Sequence, residues 1–87
     1  MKYARQCDIT GEGMNEGWCW SDGMFYSKYE KDTLLELRKD FKDETKGLTD
    51  DEVFDWAVEE EEILYWTEWY DEDDLEFEEV NGKLISL

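Results

Sequence analysis

Between Lys46 and Lys83 the chain runs for 36 residues without a lysine or arginine, and 16 of those residues are Asp or Glu. Any fold adopted here must hold carboxylates beside one another with no cation of its own between them. Two of the acidic runs enclose "ILYWTEWY" at 63–70. Its rings call for burial, while the charge on either side forbids burial around it. The arrangement that satisfies both is a rigid aromatic strand inside, with carboxylates held on the surface around it.

The charge is segregated along the chain. Residues 1–40 carry 6 basic and 8 acidic side chains, residues 41–87 carry 3 basic and 18 acidic ones, and the formal net charge is −17. High net charge with few aromatics marks disorder, but aromatics are 16% of this chain. A folded domain spanning 1–87 is therefore expected, with one modest core built from Trp, Tyr, Phe and Leu. Self-repulsion lowers its stability in dilute salt. The acidic half repels nucleic acid and anionic membranes and draws basic partners toward itself. Cys7 and Cys19 are too few for a disulfide scaffold, and "MKYARQC" lacks the apolar stretch of a secretory leader. The expected compartment is the cytoplasm, with both thiols buried and reduced.

Local patterns predict an α+β fold. It has a small, mainly antiparallel sheet and two helices, in the approximate order β-β-β-α-α-β-β-β. "KYARQCDIT" reads as the first strand, and "GEGMNEG" as a glycine-rich loop. "WCW", "SDG" and "MFYS" read as strand, turn and strand. "SKYE" has the capping-box pattern, with Ser27 as cap and Glu30 reaching back, so a helix is expected over 28–43 with Leu34, Leu37 and Phe41 on its inner face. "TDDE" at 49–52 is a second capping box. Val53, Trp56, Ala57 and Glu60 share one face of the helix it opens. Residues 63–70 are open to two readings: helical spacing can continue through them from Val53, but their composition favours a strand, and with both faces largely apolar it would be a central one. "LEFEEV", "NG" and "KLISL" form a hairpin.

Sites of known chemistry find little support. The glycine loop lacks the following helix and the lysine of a phosphate loop. It could instead serve as a recognition loop presenting Met14 and Asn15. A zinc site wants four ligands, and the chain has no histidine. Counted from Asp71 as a calcium loop, Leu75, Glu76 and Gly82 stand where Asp, Gly and Glu belong. A carboxylate pair for acid–base chemistry needs a substrate cleft that so small a core does not build. No catalytic residue, metal site or cofactor is predicted, and the chain is not expected to be an enzyme.

The remaining signal is the acidic half. It predicts a partner-binding surface of Asp50, Asp51, Asp55, Glu59, Glu60, Glu61, Glu62, Asp71, Glu72, Asp73, Asp74, Glu76 and Glu78. Alternate strand residues lie about 6–7 Å apart, and helix residues at i and i+4 about 6 Å apart along the axis. Such rows are comparable with backbone phosphates, which recur every 3.4 Å or so along one strand. The expected partner is a basic protein surface, with nucleic-acid mimicry as the specific form and no direct binding of nucleic acid or membrane. In composition the chain resembles the small, compact, acidic proteins of phages and bacteria that block nucleic-acid-binding enzymes. The runs "CDITGEGMNEGW" and "YWTEWYDED" are also similar to short uncharacterised bacterial and phage proteins, a resemblance that implies no activity. The competing expectation is a structural or adaptor protein that binds through an aromatic patch and the glycine loop, its charge only a solvating coat.

Overall fold

Five short strands open the chain: β1 (Lys2–Tyr3), β2 (Arg5–Gln6), β3 (Gly13–Met14), β4 (Glu16–Trp20) and β5 (Tyr26–Ser27). Helices α1 (Glu30–Asp40), α2 (Lys42–Thr45) and α3 (Asp50–Asp55) follow, and α3 runs into a π-helical turn, Trp56–Glu60. Then come β6 (Leu64–Glu68), a 3-10 turn (Glu72–Asp74), β7 (Phe77–Val80) and β8 (Lys83–Ser86). This is the α+β order expected, seen in a computed structural model that describes residues 1–87. No helix is long and apolar enough to cross a membrane.

The strands form three antiparallel sheets, ordered β1-β7-β8, β2-β3 and β5-β4-β6. The first strand expected from the sequence is split at Ala4, which is fully buried. β1 pairs with β7 and β2 with β3, so the chain changes sheets at that residue. The Asn-Gly hairpin forms as predicted. Asn81 and Gly82 both have positive φ, 52° and 78°, as a two-residue turn between twisted strands requires.

One capping box is real and the other is not. Thr49 Oγ1 accepts from Glu52 N–H at 3.3 Å, and Glu52 Oε1 accepts from Thr49 N–H at 2.9 Å. The Thr49 bonds, the backbone one first, hold the Glu52 carboxyl below its usual range. Ser27 caps nothing. It pairs with Trp18 in the sheet, and its buried hydroxyl accepts from Thr33 Oγ1 at 2.6 Å. α1 therefore begins at Glu30, with Tyr29 in the cap position.

The glycine loop is also corrected. Gly13 and Gly17 are strand residues, and they are glycines because of what lies against them. A Cβ on Gly13 would sit 2.3 Å from the Tyr3 ring, and one on Gly17 would sit 2.8 Å from the Ser27 carbonyl oxygen. Met14 is buried and therefore not presented for recognition. The Asn15 side chain is engaged locally, accepting from Ala4 N–H at 2.8 Å and donating to the Lys2 carbonyl at 3.4 Å.

The main core lies between α1, α3, the π turn and the sheet of β4 and β6. Leu37, Val53, Ala57 and Leu64 are fully buried beside Trp20. Edge-to-face ring pairs close it, Trp20 on Phe25 at 4.7 Å and Phe41 on Trp56 at 5.4 Å. Cys7 and Cys19 are free and buried, as expected. The β1-β7-β8 sheet extends from this body and contributes no fully buried residue. The molecule is accordingly long, 42 × 23 × 18 Å, with a radius of gyration of 14.1 Å, against about 12 Å for a compact chain of this size.

Candidate acidic surface

The predicted carboxylates fall into two groups on different parts of the fold. The first belongs to α3 and the π turn. Asp50 and Asp51 occupy the first turn of α3, where negative charge suits the helix dipole. Asp50 Oδ1 is 3.0 Å from an Arg38 guanidinium nitrogen. The same guanidinium donates to the Thr45 and Leu48 carbonyls, at 3.2 and 2.8 Å. Asp55, Glu59, Glu60, Glu61 and Glu62 are exposed. Glu44, Glu52, Asp55 and Glu60 border one shallow cleft of about 390 Å³ around Leu48 and Trp56.

This helix ends on unfavourable charge. Four glutamates stand at its negative end with no basic residue in the last turn. The spiral widens, so that Glu61 N–H bonds the Trp56 carbonyl at 2.9 Å and Ile63 N–H bonds the Ala57 carbonyl at 2.7 Å. Glu62 is forced to φ 49°, a region in which a Cβ costs about 1–2 kcal/mol. The Ser21 hydroxyl donates to its carbonyl. Glu62→Gly is expected to stabilise the fold by about 0.5–1 kcal/mol, because glycine suits this position and one carboxylate leaves the cluster. Urea titration checks it; a lower midpoint would contradict the strain.

The second group lies on the 3-10 turn and β7. Asp71, Glu72, Asp73 and Glu76 are exposed, while Asp74 and Glu78 are half-buried. Arg5 organises this end. Its guanidinium lies 3.5 Å from Glu76 Oε2, donates to the Asp74 carbonyl at 3.1 Å, and stands 5.1 Å over the Trp69 ring. Nothing in "KYARQC" signalled that role, because its partners are about seventy residues away in sequence. No three carboxylates or thiols come together closely enough to hold a metal ion.

Between the groups in sequence lies β6, and here the reading is corrected most. The strand forms, but at the edge of its sheet, paired only with β4. Leu64 is buried, whereas Tyr65 is 48% exposed, Trp66 46% and Tyr70 79%. The segment is thus half core and half surface. Glu68, which the sequence reading left out, is fixed by its neighbours. Tyr70 Oη donates to Glu68 Oε2 at 2.6 Å, and Trp66 Nε1 to Glu68 Oε1 at 3.4 Å. These bonds, Tyr70 first, hold the Glu68 carboxyl below its usual range; the Glu68 bond raises the Tyr70 phenol. Glu16 stands directly across the ladder from Glu68. Glu16, Tyr29, Trp66 and Tyr70 line one groove of about 450 Å³.

Only Arg5–Glu76, Lys28–Glu12 and Arg38–Asp50 form ion pairs, against 26 carboxylates in the chain. The surface is left to repel itself. The melting temperature is expected to rise by several degrees between about 0.01 and 0.15 M salt, as the screening length falls from roughly 30 to 8 Å. A flat or falling value would mean that this repulsion is not a significant cost. No family model matches the sequence, and no curated protein or solved structure matches it.

Proposed function

We propose that this chain is a small, non-enzymatic acidic protein that occupies a basic protein surface as a nucleic-acid mimic, blocking a DNA- or RNA-binding protein. One observation carries the reading: the charge is mounted on an elongated, ordered body. Seventeen net negative charges along a 42 Å axis amount to about one per 2.5 Å, between the 3.4 Å of a single strand and the 1.7 Å of a duplex. The carboxylates sit on α3, its π turn, the 3-10 turn and β7, or directly beside these elements, rather than on a loose tail. A partner therefore meets them in fixed positions and need not order them on binding.

A second reading rests on the exposed rings of Tyr65, Trp66 and Tyr70. It makes the protein an adaptor with an aromatic contact and a solvating coat of charge. Salt separates the two. The immobilised protein, loaded with cell lysate in dilute buffer, should release a mimic's partners as salt rises to about 0.5 M, because the attraction is screened. Partners held by aromatic contact would stay bound through the same gradient, and that result would favour the adaptor.

A further inference from the structure

The sheet of β5, β4 and β6 has one closed edge and one open edge. On the β5 side, Asp8 takes both outward groups of Tyr26: Asp8 N–H donates to the Tyr26 carbonyl at 2.9 Å, and Asp8 Oδ2 accepts from Tyr26 N–H at 2.7 Å. On the β6 side, two bonds set the phase of the ladder. Ser21 N–H donates to the Ile63 carbonyl and Trp69 N–H to the Asn15 carbonyl, both at 2.8 Å. Backbone groups alternate in direction along an antiparallel pair. Tyr65 and Thr67 therefore face β4, while Leu64, Trp66 and Glu68 face away. Leu64 is closed over, but Trp66 and Glu68 are exposed, and nothing in the protein bonds their outward N–H groups. Lysine and proline, the common guards of an open edge, are absent from residues 63–70.

Charge selects what covers this edge. The chain enters β6 from Glu59–Glu62 and leaves it toward Asp71–Asp74. Glu16 and Glu68 oppose each other in register, and neither has a cation partner. Like charges so placed repel. Edge-to-edge pairing of two copies would add the same carboxylates again, so a second copy is disfavoured.

We infer that β6 accepts an extended, lysine- or arginine-rich segment of the partner as a fourth strand, bonded to the backbone of Trp66 and Glu68. Its cationic side chains lie against Glu16, Glu68 and the flanking acidic runs. This rests on the proposed basic partner and adds the mode of binding.

The test uses the full chain and two nine-residue peptides of alternating lysine and threonine, one of them N-methylated throughout. Their charge is the same, but only the first can pair as a strand. The first should bind about tenfold more tightly, and amide exchange at Trp66 and Glu68 should slow on its addition. Glu68→Pro removes an outward N–H at a position where an edge strand tolerates proline. It should weaken the first peptide several-fold more than Glu68→Gln does, and should separate the two variants little with the methylated one. Equal binding of both peptides, without protection at Trp66 and Glu68, would overturn strand addition and leave the basic-partner reading standing. Failure of both to bind would overturn strand addition and count against that reading as well. Protection of the same amides by dimerisation, without peptide, would give the edge to a second copy and also overturn it.

Discussion

Leu37→Ala is expected to lower the melting temperature by roughly 10–30 °C, while Leu35→Ala, on the same helix, changes it by only a few degrees. Leu37 is wholly buried in a cluster with Trp20, Val53, Ala57 and Leu64, whereas Leu35 is 59% exposed. Removing three carbons from the centre of that cluster loses their transfer energy and leaves a cavity, together about 2–5 kcal/mol. A fold of this length has only about 4–13 kcal/mol in total. It has only nine buried apolar residues, and repulsion among the carboxylates already works against it. The deficit should also depend on solvent, with added salt recovering part of the lost stability by screening the surface. Thermal melts of both variants at two salt concentrations would check this. A similar loss from Leu35→Ala would mean that the enclosed cluster is not what holds the helix to the sheet.

The parts of this fold that local chemistry decides were legible in the sequence. Thr49 and Glu52 find each other within one turn, and Asn81-Gly82 needs only its own two residues to reverse the chain. At positions 63–70 local signals divided, since spacing allowed a helix and composition favoured the strand that forms over Leu64–Glu68. Their burial was not legible, because burial depends on pairing with β4, some forty-eight residues earlier in sequence. Aromatics on both faces of a strand suggest two covered faces, but Trp66 and Tyr65 lie at an edge with no further strand beside them. "SKYE" carried the same local signal as "TDDE" and failed, since Ser27 was claimed by Trp18 and Thr33 from outside the segment. The acidic positions were readable as surface from charge alone. Their division between α3 and β7, and the role of Arg5 beneath Glu76, depend on tertiary pairing that no spacing encodes.

Placement should outweigh total charge in binding. Reversing Asp71, Glu72 and Asp73 to lysine moves the net charge from −17 to −11, two units per residue. Reversing Glu36, Asp40 and Asp43 does the same outside the proposed surface. None of these six makes an ion pair, so both triples should fold. Asp8, by contrast, closes the β5 edge through Tyr26 and would confuse such a comparison. Peripheral charges act chiefly on association rate and its salt dependence. The first triple should slow capture of a basic partner by about tenfold in dilute salt, and the second by no more than about threefold. Equal losses would reduce the effect to net charge and leave the acidic half as a solvating coat.

Competition with nucleic acid is the most direct measurement of all. Proteins captured on the immobilised chain in dilute buffer would be challenged with duplex DNA, with RNA, and with a polyacid of matched charge. If the carboxylates stand in for phosphates, the captured proteins are nucleic-acid-binding proteins. DNA or RNA should then release them at concentrations where the polyacid does not, and the free chain should displace nucleic acid from the same proteins in return. Captured proteins that hold the chain and nucleic acid at once, or that the polyacid releases equally well, would contradict the mimic.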